Sequence, residues 1–160
     1  FMYSKINYEG PVAKQYDTLS KQLDALLEGE NDRIANLSNA SALLNQFLDQ
    51  INWVGFYIMR DGELVLGPFQ GLPACVRIAV GRGVCGTAVE KKQTLVVDDV
   101  HEFPGHIACD AASNSEIVVP LIKNGEVIGV LDIDSPIKNR FSVEDRQGLE
   151  QFVETLMKFI

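Results

Sequence analysis

An Asn-Gly pair at positions 124 and 125 separates two alternating apolar segments, and no other feature restricts the fold as much. Asn and Gly accept the left-handed backbone conformations that a two-residue type I′ turn demands. Residues 116–122, with Ile117, Val119 and Leu121 facing one way, are therefore predicted to pair antiparallel with residues 127–133. The hairpin carries three acids, Glu116, Asp132 and Asp134, in or beside apolar strand sequence. A carboxylate is costly to bury unless it is paired or protonated. Three of them following a polar loop that holds Cys109 read as a site rather than as a solvated face.

A second hairpin is predicted around Asp61-Gly62, joining the aromatic-rich segment 52–59 to a strand returning from Leu64. Cys75 follows a short loop and begins a third strand in which Val76, Ile78 and Val80 alternate with other residues. Residues 81–93 open with glycines and run into a short helix whose start holds Cys85. A short strand over 94–97 leads into an irregular loop over 98–115, which contains His101, His106 and Cys109. Loops this long in compact domains are often functional.

Helices are predicted at both ends. Residues 11–28 place Val12, Tyr16, Leu19, Leu23 and Leu26 on one face. A second helix, capped by Asn31 or Asp32 and running to about Gln50, carries Ile34, Leu37, Ala40, Leu44 and Leu48 as its stripe. Ser142 and Asp145 have the spacing of a capping box, and the last helix turns Leu149, Phe152, Val153, Leu156 and Phe159 inward. Hairpins flanked by helices predict an α+β fold for one domain over residues 1–160. Its mainly antiparallel sheet would carry the N- and C-terminal helices on one face and a pocket under the long loops on the other.

The formal charge of −8 argues against nucleic acid and anionic membranes as partners, since both need basic patches. No apolar run approaches the roughly 20 residues of a membrane span, and residues 1–10 show no signal-peptide core. Three cysteines in an ordinary globular composition do not make a secreted disulfide framework. A cytoplasmic protein with reduced thiols is the expectation.

Each cysteine also has an ordinary explanation. Cys109 is either a simple loop residue or a nucleophile, since a His106 imidazolium three residues before it would favour the thiolate while Asp110 would oppose it. Cys75 reads as a half-buried strand residue. Cys85, near a helix N-terminus, could be a dipole-stabilised thiolate or could simply pack beneath Gly86. Cys75, Cys85, His106 and Cys109 count to a zinc set but lack the paired Cys-x-x-Cys spacing, so no metal is expected. GRGVCG lacks the Gly-Lys-Ser/Thr ending of a phosphate loop and reads as a loop and helix start that need small residues. Trp53 is by default a core aromatic; with Tyr57, four residues on and on the same strand face, it could wall a small apolar pocket.

The segments NWVGFY, LGPFQG, GRGVCGTAVEKKQTLVVDDVHEFPGHIACDAASNSEIVVPL and VLDIDSP resemble the free methionine-(R)-sulfoxide reductase family, a catalytic branch of the GAF domains. The likeness runs from about Tyr16 to Phe159 and includes all three cysteines, a set that regulatory GAF domains generally lack. It implies a GAF-like fold and reduction of free L-methionine-(R)-sulfoxide to methionine, with no bound cofactor and thioredoxin as electron donor. Cys109 would be the nucleophile, Cys75 the main resolving thiol and Cys85 an auxiliary one. Trp53 and Tyr57 would cradle the methyl end of the substrate. Glu116, Asp132 and Asp134 would bind its polar end, with Glu116 and Asp134 handling the proton. A homodimer packed through the terminal helices is compatible with this picture. Two rival readings are a GAF domain that binds a small ligand without chemistry and a thiol redox sensor. Neither predicts sulfoxide turnover.

Overall fold

The computed structural model describes residues 3–106 and 110–160. Two helices come first, α1 (Val12–Leu27) and α2 (Arg33–Phe47). Then follow strands β1 (Trp53–Arg60), β2 (Glu63–Gly71) and β3 (Arg77–Ala79), helix α3 (Gly83–Lys91), strand β4 (Leu95–Val97) and a 3-10 turn at Val100–Glu102. Strands β5 (Ser115–Lys123) and β6 (Glu126–Ser135) and helix α4 (Val143–Leu156) complete the chain. Among the described residues no helix is long and apolar enough to cross a membrane.

The six strands form one antiparallel sheet in the order β3-β2-β1-β6-β5-β4. Both predicted turns form, and their central residues have the positive φ that such turns require: +52° at Asp61, +83° at Gly62, +53° at Asn124 and +79° at Gly125. The hairpin β5-β6 sits beside β1 because the first and last long strands close the sheet's centre, which aligns Trp53 with Asp134 and Asp134 with Glu116.

Strands β1, β5 and β6 bury both faces over most of their length. On one side Val54, Phe56, Ile58, Ile117, Val119, Leu121, Leu131 and Ile133 pack against the apolar faces of α1, α2 and α4. On the other side Trp53, Tyr57, Val118 and Val130 pack against Val84, Cys85, Ala88 and Val89 of α3. The second face is therefore roofed in part by a helix as well as by loops, which modifies the expectation of a pocket under loops alone. The apolar character of α3 is what makes it a lid over sheet rather than a surface helix.

Caps follow the sequence signals. Asp32 Oδ1 accepts a 2.9 Å bond from the N–H of Ala35, and Ser142 and Asp145 complete a reciprocal capping box. Ile34, predicted to face inward, is 65% exposed, because α2 packs through Leu37, Ala40, Leu43 and Leu44 and its first turn lies past them. Val76 and Val80 are exposed too, since β3 is a three-residue edge strand with only Ile78 turned to the core.

Helices α1 and α4 meet at Gly148, where a methyl group would stand 2.1 Å from the Tyr16 ring. That ring is fully buried, and its hydroxyl donates to Asp145 Oδ1 at 2.7 Å, so it cannot swing away. Gly148→Ala is expected to destabilise the fold by about 2–3 kcal/mol, at the upper end of core overpacking. A denaturation midpoint within error of the parent would refute this.

Candidate active site

The second face of the sheet carries its polar residues at one end only. Antiparallel register sets Trp53, Asp134 and Glu116 in one row across β1, β6 and β5. The next row is Gly55, Asp132 and Val118, and the third begins with Tyr57 and Val130. The side chains of all these residues point to the same face because strand periodicity is two. Gly55 leaves the floor open between two aromatics: a Cβ there would lie 2.2 Å from that of Phe69.

The rows floor a pocket open to solvent, and α3 with its N-cap supplies Arg82, Gly83, Val84 and Cys85 to its wall. Trp53 and Tyr57 stack at 5.9 Å between ring centroids, and Trp53 stacks on Phe69 at 5.1 Å. Both polar tips reach one loop. Trp53 Nε1 donates to the Leu72 carbonyl at 3.1 Å, and the Tyr57 hydroxyl donates to the Cys75 carbonyl at 2.9 Å. The aromatic wall thus also fixes the backbone of the Cys75 loop.

Glu116 and Asp132 are buried, and Asp134 beside them is half-buried. Burial, then the charges of Asp132 and Asp134, holds the Glu116 carboxyl well above the ordinary carboxylate range. Burial and then Asp132 do the same to Asp134, with Asp110 adding to the rise. Asp132 is raised by burial but is relieved by hydrogen bonds from Glu116, Cys85 and Asp134. All three carboxyls are thus biased toward the protonated form, and they share their protons as one coupled group. Such a cluster cannot hold three negative charges in a dry site. Asp132 Oδ1 meets no fixed donor among the described residues, so only protons retained by its neighbours reach it.

Cys85 lies in the same cluster: its sulfur and oxygens of Glu116 and Asp132 are within 4.8 Å of one another. Burial and the adjacent acids push its thiol well above the ordinary value, which favours the packing alternative over the dipole-stabilised thiolate. The half-turn of helix dipole loses to three carboxyls and desolvation. Cys85 is a free thiol, whereas Cys75 is held in a disulfide. Cys109, the predicted nucleophile, lies outside the described residues, and with it the zinc set counted from sequence.

His106 lines the pocket, and burial, with His101 nearby, lowers its pKa below the ordinary 6.5. Burial thus disfavours the imidazolium that would have promoted a neighbouring thiolate. Asp110 and Ser113 are held by residues with no legible motif. Asn52 Nδ2 donates to Asp110 Oδ2 at 2.9 Å and to Ser113 Oγ at 3.1 Å. Asp110 Oδ1 in turn accepts from the Ala112 N–H at 2.8 Å. Only the position of Asn52, immediately before the aromatic strand, hints at this role.

The sequence pattern of the GAF domain family matches residues 30–160. The free methionine-R-sulfoxide reductase of Escherichia coli (strain K12) is 58% identical over 145 residues, covering 91% of this chain and 88% of that one. The reduced form of fRMsr of Staphylococcus aureus superposes with a TM-score of 0.87 at 60% identity, over 89% of this chain and 93% of that one. The free methionine-R-sulfoxide reductase of Neisseria meningitidis in complex with its substrate superposes at 0.93 and 43% identity, over 98% and 95%.

Proposed function

We infer the activity from kinship and site together: the chain belongs to the GAF domain family, in the branch of the free methionine-R-sulfoxide reductases, and it reduces free methionine-(R)-sulfoxide to methionine. The observation that carries the chemistry is the set Glu116, Asp132 and Asp134 on the floor of one pocket, whose carboxyls burial holds above the ordinary carboxylate range. A sulfoxide oxygen leaves sulfur only when it is protonated, and a carboxyl that keeps its proton near neutral pH can supply it.

In this reading one catalytic domain over residues 1–160 performs the whole cycle. Trp53 and Tyr57 hold the methyl end of the substrate, and Asp132 takes its polar end. The Cys109 thiolate attacks the sulfoxide sulfur while Glu116, backed by Asp134, protonates the oxygen. Methionine departs and the oxygen remains on Cys109 as a sulfenic acid. The thiol of Cys75 condenses with it, giving a disulfide and releasing the oxygen as water. A dithiol of the thioredoxin type reduces that disulfide by exchange and is itself oxidised. No bound cofactor is required, and the cycle suits the cytoplasm, where such dithiols are kept reduced. Cys85, protonated and buried, stands by as an auxiliary thiol. The disulfide at Cys75 and the free thiol at Cys85 support this division. The exposed edges of α1 and α4 leave a homodimer compatible with the reading.

The test is NADPH loss with thioredoxin, its reductase and each free epimer in turn. Turnover of the R epimer with little of the S epimer is expected. No turnover of either would return the chain to ligand binding or redox sensing.

The Tyr57 hydroxyl gives a finer check. Tyr57→Phe removes its bond to the Cys75 carbonyl, worth about 1 kcal/mol or roughly 5-fold. Steady-state recycling should slow by about that factor, while a single stoichiometric turnover keeps its rate. Equal slowing of both phases would mean that Tyr57 serves the substrate alone.

A further inference from the structure

Three side chains of the pocket are placed to hold one metal ion. Cys85 Sγ and carboxyl oxygens of Glu116 and Asp132 lie within 4.8 Å of one another. Tetrahedral zinc, with bonds of about 2.0–2.3 Å, keeps its ligand atoms about 3.3–3.8 Å apart. Small side-chain rotations therefore close the set on a single ion. The three residues come from α3, β5 and β6, and the packing of α3 against the sheet is what brings them together. This donor set shares only Cys85 with the four residues counted from sequence.

Two further observations favour a cation there. Cys85, Glu116 and Asp132 are 4%, 7% and 5% exposed, and none of them joins an ion pair among the described residues. Asp132 lines the pocket with an Oδ1 that has no hydrogen-bond partner among those residues. A buried carboxyl oxygen in that state calls for a proton or a cation. The charge of the pocket supports the cation. Asp110 and Asp134 line it as well, and its arginine, Arg82, stands exposed at the rim. Donor chemistry then selects the metal. A thiolate among carboxylates suits a borderline-soft ion such as zinc, whereas magnesium and calcium prefer oxygen alone.

We propose that Cys85, Glu116 and Asp132 form an exchangeable zinc site, and that a bound zinc ion shuts the pocket against its substrate. Binding releases to solvent the protons that the thiol and the carboxyls hold, and leaves a thiolate and two carboxylates on the ion. Water, or the carboxyl of Asp134, which pairs with Glu116 across the hairpin, completes the fourth position. Zinc and sulfoxide then exclude each other, because the metal takes the side chains that hold the polar end of the substrate and protonate its oxygen. Free zinc is thus a reversible brake on turnover. The exclusion rests on the reductase reading; the metal site does not.

The test begins with the whole metal-free protein, its Cys75 disulfide intact and Cys85 a free thiol. Cobalt(II), a spectroscopic stand-in for zinc, should give a thiolate-to-metal charge-transfer band and the intense visible bands of a tetrahedral site. Zinc should abolish both; magnesium and calcium should not. Cys85→Ser should lose the charge-transfer band. Cys85→Ser and Asp132→Asn should each weaken zinc at least about 10-fold in competition with a chromophoric chelator, the least that even an outer-shell change costs. A wild-type spectrum without the band, or a band that survives Cys85→Ser, would overturn the proposal. Should one variant fail to fold, the wild-type spectrum and the other variant decide. In single turnovers of the reduced protein, free of coupling enzymes, zinc should raise the sulfoxide concentration required without lowering the maximal rate, and a chelator should reverse the effect. Turnover by a protein that binds no zinc would overturn the site and spare the reductase reading. The cobalt band without any turnover would keep the site and overturn that reading. Zinc bound without competition would overturn the exclusion, and with it the placing of the sulfoxide among the acids.

Discussion

Cys109→Ser is expected to lower turnover of free methionine-(R)-sulfoxide by at least about 10³-fold, as loss of a nucleophile does elsewhere. Serine has nearly the shape of cysteine, but its hydroxyl is not ionised at neutral pH and cannot carry the oxygen as a sulfenic acid. Both the attack and the transfer are therefore lost in one substitution. Cys75→Ser separates the two halves of the cycle. It should complete one stoichiometric turnover per protein molecule, shown by a burst of methionine, and then stall as the sulfenic acid. Normal cycling by Cys109→Ser would move the nucleophile elsewhere. Cys85→Ser should do neither, because its thiol is held protonated by burial and by the acids around it.

Glu116→Gln is expected to cut kcat by about 10²–10⁴, the usual worth of a general acid. The same change should make the protein more stable at neutral pH. The sign follows from the direction of the shift. The Glu116 carboxyl is raised in the folded protein above its ordinary 4.5, so its contribution to stability is complete below that pH. That contribution is lost progressively as pH rises toward the folded value, since ionising the group places charge in a dry, already acidic site. Glutamine does not titrate and escapes the loss. The melting temperature of the variant relative to wild type should therefore climb from pH 4.5 upward. At pH 7–8 the variant is expected to melt above wild type, by a margin larger than at pH 4.5. A difference independent of pH, or retained activity, would remove Glu116 from the proton path. The pairing of lost rate with gained stability is the mark of a site assembled against the preference of the fold.

Much of the architecture was readable because it is written in local chemistry. Asp61-Gly62 and Asn124-Gly125 specify turns whatever surrounds them, and the alternation about them specifies which side chains share a face. The Ser142–Asp145 box starts its helix by hydrogen bonds spanning three residues. Where the reading missed, the deciding partner was distant. Ile34 fits the helical stripe of α2 as well as Leu37 does, yet only Leu37 finds the sheet beneath it. Cys85 occupies the helix position that lowers a thiol pKa, but three carboxyls from β5 and β6 reverse the effect. His106 reads as a charged neighbour for Cys109, but burial lowers its pKa and disfavours that charge.

By itself, then, the chain determined its hairpins, its caps, its family likeness and the presence of three acids in apolar strands. Those follow from periods of two and 3.6 and from turn residues, which act over a few positions. What the tertiary structure alone decided is that Glu116 and Asp134 stand side by side, that α3 brings Cys85 and Arg82 over them, and that Asn52 ties down Asp110. The reason is that a carboxyl's proton affinity depends on charges and solvent within a few ångströms, and those neighbours come from segments tens of residues apart.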